Sequence, residues 1–310
     1  MKNLADNFRE DFYTLNSLNE AARLEPKKLI RKSEKVFNHR VKNIVNYVTE
    51  NKSHCKIILI TGPSSSGKTT FSKILRRKFR RLGIWNDIIS LDNFYKGIKS
   101  IPKLEDGSHD FESLEGLDID GAKKVIIDLL AKGRCDIPLY DFKTMSATEN
   151  TVHIEVPKSG IIIIEGLHAI NPLITEGVVG SNILRIYIDA NNMIKFENGE
   201  DFIKSENIRL MRRICRDYKY RHILPLRTVE MWKNVRRGEK LYVKPLKEYA
   251  DFILNTFHYY EPCVMANDVV NFLNYLPKNL EMNDLKEKLS NFTNIDKDLV
   301  PKKSLIREFF

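Results

Sequence analysis

The chain has 310 residues, 42% of them hydrophobic, with a formal net charge of +10 at pH 7. This composition fits one large α/β domain with extensions, or two smaller domains, and it excludes a disordered chain. No apolar run approaches the roughly 20 residues of a membrane-spanning helix, and the polar first residues do not resemble a secretory signal. The four cysteines show no C-x-x-C pair, as is typical of reduced thiols. We therefore expect a cytoplasmic protein without a membrane partner.

The positive charge has two interpretations. It could mark a protein that binds nucleic acid, or a basic polyphosphate site together with ordinary surface lysines. Aromatic residues do not interleave with the basic clusters as they do in RNA-binding sheets. We therefore favour the polyphosphate site, and nucleic acid stays open as a partner without being favoured.

Residues 1–50 predict a helical N-terminal extension. Apolar residues recur there at near-helical spacing among charged ones, namely at Ile30, Phe37, Val41, Ile44, Val45 and Val48. This face could pack on the rest of the protein or face a partner, and the sequence does not decide between the two.

A phosphate-binding loop follows an apolar run at residues 55–61. Gly62 to Thr69 fits G-x-x-x-x-G-K-[ST], in which glycines let backbone N–H groups and a helix N-terminus approach an anion. Lys68 can reach the β- and γ-phosphates, and the Thr69 hydroxyl can bind Mg²⁺. A chance glycine-serine loop is the alternative, but a strand-like run precedes this loop and a helical period follows it over 69–82. The predicted ATP-binding residues are Gly62, Pro63, Ser64, Ser65, Ser66, Gly67, Lys68, Thr69 and Thr70.

Further strands and helices alternate along the chain. Strands are predicted at 87–91, 161–164, 183–188 and 251–254, helices at 121–132, 201–222 and 264–276, and a hairpin or edge strand near 152–156. Residues 138–142 read as irregular. The alternation predicts an α/β fold of the P-loop NTPase type, a parallel sheet flanked by helices. We expect the kinase-like domain at 51–276 and a mostly polar tail at 277–310, apart from Leu305-Ile306 and Phe309-Phe310.

Two carboxylates follow predicted strands directly. Glu165 ends the 161–164 run, and Asp92 comes after 87–91, so both should lie at the carboxyl edge of the sheet, where open parallel sheets bind ligands. Glu165 is placed to hold Mg²⁺, and Asp92 to accept the proton of an attacking hydroxyl. The alternatives are a turn cap for Asp92 and a surface salt bridge for Glu165.

The helix predicted at 201–222 is strongly basic. Arg209, Arg212, Arg213 and Arg216 are three or four residues apart, so several share one face. Guanidinium groups that close over a γ-phosphate stabilise its transfer by about 10³–10⁵ in rate. We predict a lid here, with Arg213 and Arg216 as catalytic groups; a solvated basic face or an RNA-contacting helix are the alternatives.

Five motifs occur in an order that resembles the uridine kinase and phosphoribulokinase family, over roughly residues 55–255. They are Gly62–Thr70, Ser90–Tyr95, Pro138–Phe142, Glu165-Gly166 and Arg209–Asp217. The segments 235–239 and 304–309 resemble a bacterial branch related to uridine kinases joined to a region like that of threonyl-tRNA synthetase. We expect this chain to keep at most the helical end of that region.

The resemblance implies an ATP- and Mg²⁺-dependent kinase that phosphorylates the 5′-hydroxyl of a nucleoside. It implies Asp92 as general base, with Thr69 and Glu165 at the metal. Substrate contacts would come from Asp92, Tyr95, Glu112, Tyr140, Met145 and Arg213, and phosphate contacts from Arg213, Arg216 and Arg221. Two positions depart from the family: Glu112 replaces an aspartate, and Met145 replaces the base-reading histidine of uridine-type enzymes. We also expect a homo-oligomer.

Three other functions compete. The acceptor could be another small molecule, such as a sugar phosphate. A GTPase switch should contain N-K-x-D, which is absent; D-x-x-G occurs at Asp118 but without a buried strand before it, so we interpret it as chance. The third alternative is an RNA-associated regulatory protein that binds ATP.

Overall fold

A computed structural model describes residues 13–51, 55–141, 143–176, 178, 183–277 and 282–310. We number the strands in this part of the chain β1 (Tyr13–Thr14), β2 (Ile57–Thr61), β3 (Asn86–Ser90), β4 (Arg134–Asp141), β5 (Ser146–Glu155), β6 (Ile161–Glu165), β7 (Ile183–Asp189), β8 (Ile194–Lys195) and β9 (Phe252–Asn255). The helices are α1 (Leu15–Leu24), α2 (Pro26–Glu50), α3 (Lys68–Arg81), α4 (Ile119–Lys132), α5 (Pro172–Thr175), α6 (Ser205–Arg221), α7 (Pro225–Gly238), α8 (Glu261–Leu273) and α9 (Asn283–Ser290). None of these helices combines the length and apolarity needed to cross a membrane.

The central sheet has five parallel strands in the order β3-β6-β2-β7-β9. Two of its inner strands, β2 and β6, are almost wholly isoleucine and leucine, as expected of strands buried on both faces. Successive residues of β2 point to opposite faces, with Ile58 and Ile60 in one core cluster and Ile57 and Leu59 in the other. The predicted parallel α/β sheet is thus confirmed, and the carboxyl ends of its strands form a common edge.

Helices cover both faces of the sheet. One core contains the apolar side of α3, with Phe71, Leu75 and Phe79, and the other contains the apolar side of α4. Helix α4 ends at Gly133, which adopts a left-handed conformation. At its start the Asp118 side chain accepts a hydrogen bond from Gly121 N at 3.0 Å, so the D-x-x-G sequence is a helix cap.

Both ends of the chain pack on this core. Helix α2 buries an apolar stripe that includes Phe37, Val41 and Val48, which answers the question that the sequence left open for the extension; residues 1–12 lie outside the described part. The prediction of a polar tail missed the packing at the other end. There, Leu285, Leu289, Ile295, Val300, Leu305, Ile306, Phe309 and Phe310 are buried in the same cluster.

Two segments differ from the sequence prediction. Residues 138–141, expected to be irregular, belong to β4, which pairs antiparallel with β5. The pairing shifts register between Pro138 and Tyr140, because proline has no N–H to donate to a ladder; Phe142 lies outside the described residues. Helix α7, which begins with Pro225 and leads into a π-helix at Glu239–Val243, was not predicted.

The basic helix exists as predicted, but most of it is not solvated. Helix α6 buries Ile208, Met211 and Ile214 in the core, and its Arg209 and Arg212 are 1% and 0% exposed. This burial contradicts a solvated or RNA-contacting face at those two arginines. A lid formed by the whole helix would have to expose this apolar surface, so any lid movement would be confined to its carboxyl-terminal part.

We expect Phe309→Ala to lower the free energy of unfolding by about 3–5 kcal/mol, because the ring is fully buried and its removal leaves a cavity. Urea denaturation measures the change. Tyr275→Ala, at a side chain that is 89% exposed, is the control and should change stability by about 0.5 kcal/mol or less. Equal effects of the two variants would show that the C-terminal segment is not part of the core.

Candidate active site

The phosphate-binding loop connects β2 to α3 at the carboxyl edge of the sheet. An added Cβ at Gly62 would clash with the carbonyl oxygen of Ile188, so only glycine fits where the loop passes β7. Gly67 has a φ of +93°, which lets the loop turn into α3. The predicted ATP-binding residues therefore lie on one continuous loop and the first turn of the helix, with N–H groups and a helix N-terminus available to an anion.

Lys68 lies at the centre of the charges in this site. Its ammonium donates hydrogen bonds to the carbonyl oxygens of Gly62 at 2.7 Å and Pro63 at 3.1 Å. Burial lowers its pKa, while four carboxylates, those of Glu165, Glu112, Asp92 and Glu239, oppose that shift. The ammonium of Lys68 is thus bound to the loop backbone, and these four carboxylates surround it.

The two predicted edge carboxylates converge near the loop. Asp92 lies in a tight turn that begins after β3, where Ser90 Oγ accepts a hydrogen bond from Asp92 N at 3.3 Å. Burial raises the pKa of Asp92, against the attraction of Lys68 and Arg221. Glu165 accepts a hydrogen bond from the Thr69 hydroxyl at 3.3 Å, and burial raises its pKa to about 7. A carboxylate and a hydroxyl this close are oxygen ligands of the kind that Mg²⁺ takes beside phosphates.

The predicted acceptor residues lie beyond Asp92. The Tyr95 hydroxyl donates to the carbonyl oxygen of Phe111 at 3.0 Å, and its ring centroid is 6.0 Å from that of Tyr140. Glu112 is 8% exposed, and its Oε2 has no hydrogen-bond partner among the described residues. Burial raises the pKa of Glu112 to about 7, Glu239 raises it further, and Arg213 opposes both. An aromatic pair and an unpartnered buried carboxyl group are thus available to a substrate.

Met145 occupies the turn between β4 and β5. Its φ is +52°, and its carbonyl oxygen accepts a hydrogen bond from Ile98 N at 3.0 Å. Gly97 pairs with Ser146 beside it. The tip of the β4–β5 hairpin is therefore hydrogen-bonded to the segment that follows Tyr95. This contact brings Met145, where uridine-type enzymes have a histidine, to the acceptor side of the site.

The predicted lid arginines gather around one acid. Asp217, 1% exposed, lies 3.2 Å from Arg213 Nε, 2.8 Å from Arg216 Nη2 and 3.5 Å from Arg221 Nη1. Arg213 also donates to the Ser64 hydroxyl at 2.7 Å. Arg213 therefore contacts both the phosphate loop and Asp217, whereas the ion pair of Arg216 is with Asp217. Burial lowers the pKa of Arg221, with Asp92 opposing the shift.

The sequence prediction missed the acids that accompany the two innermost arginines. Arg209 forms a bidentate ion pair with Glu239, at 2.6 and 2.8 Å, and Arg212 forms one with Glu261, at 2.6 and 2.9 Å. Arg209 also donates to the Ser64 carbonyl at 3.1 Å and Arg212 to that of Ser65 at 3.2 Å. Glu239 ends the segment 235–239, which in the sequence shows only a family resemblance. Nothing in the composition of that segment indicates a contact with the loop.

His168 was also missed. Its Nε2 lies 2.9 Å from the carbonyl oxygen of Glu112, and burial lowers its pKa to about 4. The neutral ring therefore donates this hydrogen bond, which fixes the backbone that carries the acceptor-side carboxyl group.

A phosphate loop with a lysine, a hydroxyl–carboxylate pair and a further buried carboxylate at one sheet edge defines a P-loop kinase. Residues 57–199 match the model of the phosphoribulokinase / uridine kinase family.

Known uridine kinases are similar to this chain. The chain is 29% identical over 199 residues to the uridine kinase of Bacillus pumilus (strain SAFR-032), covering 64% of this chain and 85% of that protein. The uridine kinase of Bacillus subtilis (strain 168) is 28% identical over 199 residues, covering 64% and 84%. Among solved structures, a possible uridine kinase from Bacillus stearothermophilus aligns with a TM-score of 0.47 at 17% identity, covering 70% of this chain and 98% of that one.

The raised pKa of Glu112 predicts a pH dependence of stability. Between its ordinary value of 4.5 and about 7, the folded protein holds a proton that the unfolded chain has lost. The contribution of Glu112 to the free energy of unfolding should therefore fall as pH rises through this window, by on the order of 2–3 kcal/mol.

Urea denaturation of the ligand-free protein at pH 4.5 to 8 measures this dependence. Glu112→Gln, which cannot ionise, should lose the share of the dependence that comes from Glu112 and keep that of Glu165, whose pKa is also raised to about 7. Glu115→Gln, at an exposed position, should follow the wild type. Parallel curves for wild type and Glu112→Gln would contradict the shift.

Proposed function

We propose that this chain is an ATP-dependent nucleoside kinase that transfers the γ-phosphoryl group of ATP to the 5′-hydroxyl of a nucleoside, with Mg²⁺. The observation that carries the proposal is the convergence on Lys68 of the carboxylates of Asp92, Glu165 and Glu112, each from a different strand or loop. A cytoplasmic location and a homo-oligomeric state are part of the same proposal.

The donor side follows from the loop. The backbone N–H groups of residues 64–69, where the loop enters α3, bind the phosphates, and Lys68 neutralises the transferring group. Thr69 and Glu165 would hold Mg²⁺, which when bound offsets the charge on the phosphate oxygens. Arg213 donates a hydrogen bond to the Ser64 hydroxyl, and from this position it would reach the outermost phosphate.

Asp92 is the general base. It lies in the turn after β3, and the attraction between it and Lys68 joins it to the phosphate end of the site. Its raised pKa makes it a better proton acceptor than a surface carboxylate once it is ionised. In this arrangement Asp92 takes the hydroxyl proton while the hydroxyl oxygen attacks the phosphorus opposite the leaving oxygen.

The acceptor side favours a nucleoside over a sugar phosphate. Tyr95 and Tyr140 offer aromatic faces to a base, and Glu112 can accept hydrogen bonds from ribose hydroxyls. The buried acids Asp110 and Glu112 would repel a second phosphate group. Arg237 lies near them, but it is paired with Asp110 at 3.0 Å. A neutral acceptor is therefore the better fit.

We expect Asp92→Asn to bind ATP normally and to lose about 10²–10⁴ in kcat, because the amide keeps the shape but accepts no proton. Coupled assays of ADP formation with a nucleoside, together with titration calorimetry of ATP, measure the two effects. Asp120→Asn, at an exposed acid of α4, is the control and should resemble the wild type. Unchanged kcat in Asp92→Asn would make Asp92 a structural turn residue only.

Met145 predicts relaxed selectivity for the base. A site that hydrogen-bonds its substrate rejects analogues by about 10⁴–10⁵, whereas apolar contact discriminates by only about 10–200-fold. Methionine offers a flexible apolar surface in place of a histidine. Exposed Lys143 or Thr144 could supply the missing hydrogen bond instead and keep uridine and cytidine as substrates.

The kcat/KM values for uridine, cytidine, inosine, guanosine and adenosine separate these two cases. We expect ratios within about 200-fold for the wild type and a gain in pyrimidine preference for Met145→His. A wild-type preference of several hundredfold for uridine or cytidine over every purine would contradict the relaxed site.

A further inference from the structure

A carboxylate of the chain itself occupies part of the phosphate loop. Glu239, 1% exposed, accepts a hydrogen bond from Ser64 N at 2.8 Å through Oε1. The same oxygen accepts from Arg209 Nη1 at 2.6 Å, and Oε2 accepts from Arg209 Nη2 at 2.8 Å. An anionic group is therefore already bound to a backbone N–H of the loop and to a guanidinium beside it.

These are the kinds of groups that bind phosphate. Backbone N–H groups of such loops and arginine side chains are the usual ligands of phosphate oxygens in P-loop sites. Glu239 also acts electrostatically on Lys68, Arg213 and Glu112, so its charge reaches both sides of the site. A phosphate at Ser64 would compete with this carboxylate for the backbone N–H.

We propose that Glu239 is a positioning residue of the nucleotide site, an internal substitute for a phosphate that holds Ser64 N–H and Arg209 in the empty loop and competes with the bound phosphates for them. The ligand is a molecule with a terminal phosphoryl group, and its identity as ATP rests on the proposed function.

The position of Glu239 in the chain suits this role. It follows Gly238, whose Cα packs so closely on Glu112 that an added Cβ would clash with the Glu112 side chain. It also begins the π-helix Glu239–Val243, a widened turn of a kind often found at functional sites. A shift of Glu239 away from Ser64 would therefore also displace the side chain of Glu112, which packs against Gly238.

Glu261 provides a matched control. It too is a fully buried carboxylate in a bidentate ion pair with an arginine, Arg212, that donates to a loop carbonyl. Its oxygens accept hydrogen bonds from Arg212 and from His258 N, and among the described residues no N–H of the loop donates to Glu261. Glu239→Gln and Glu261→Gln thus remove the same charge, but only the first weakens an anion on the loop.

The experiment is titration calorimetry of Mg-ATP, pyrophosphate and adenosine with the wild type and both variants. We expect Glu239→Gln to lower the Kd of ATP and pyrophosphate about tenfold, because a nearby like charge is removed, and to leave the Kd of adenosine unchanged. Glu261→Gln should lower the Kd of ATP and of pyrophosphate by about threefold or less. Equal effects of both variants, or no tightening in Glu239→Gln, would overturn the proposal.

Two further arms keep the test decisive. If Glu239→Gln does not fold, Glu239→Asp and Glu261→Asp are compared in the same way. Each keeps the charge beside its arginine, but the shorter side chain of Glu239→Asp weakens the contact with Ser64 N, so only this variant should tighten the binding of ATP and pyrophosphate. Pyrophosphate separates this inference from the proposed function. Tightened pyrophosphate binding without any nucleoside phosphorylation would refute the kinase proposal alone, and phosphorylation without tightened binding would refute only the role of Glu239.

Discussion

Two buried ion pairs beneath the phosphate loop hold the site together. Arg209 with Glu239 and Arg212 with Glu261 place guanidinium groups against the carbonyl oxygens of Ser64 and Ser65. Removing one partner of such a pair leaves an uncompensated buried charge and typically costs about 3–5 kcal/mol. The Phe309 ring packs on the Arg212 guanidinium, 4.9 Å from its centroid, and so the last residues of the chain support the loop from below.

This arrangement explains how a basic helix can lie in an apolar core. The first arginines of α6 are buried because acids from α8 and from the end of α7 neutralise them, and the later ones gather around Asp217. Helix α6 therefore has two parts that make different contacts. Its first half contacts the carbonyl oxygens of the loop through Arg209 and Arg212, and its second half brings Arg213 to the Ser64 hydroxyl and Arg221 near Asp92.

Local patterns in the sequence were sufficient for the sheet, the loop and the edge acids. The isoleucine runs of β2 and β6 and the glycines of the loop specify conformation through neighbouring residues alone, so Asp92 and Glu165 could be placed at one edge in advance. The partners of Arg209 and Arg212 could not, because Glu239 and Glu261 are 30 and 49 residues away along the chain. The pairing of β4 with β5 and the burial of Leu305 and Phe309 likewise depend on tertiary contacts that no local period reports.

The charges of the site are segregated in a way that suits transfer to a neutral acceptor. The loop side is positive overall, since Lys68, Arg209 and Arg213 all donate to loop oxygens there and Glu239 is the acid bound to Ser64 N. The other carboxylates near Lys68 are those of Glu112, Asp92 and Glu165. Burial raises the pKa of both glutamates to about 7, so near neutral pH each is only partly ionised in the empty protein. Under the proposed function, a bound divalent cation would favour the ionised form of Glu165, and a hydroxyl that donates to Glu112 would favour the ionised form of that residue. Both glutamates would therefore be ionised most completely when donor and acceptor are bound together.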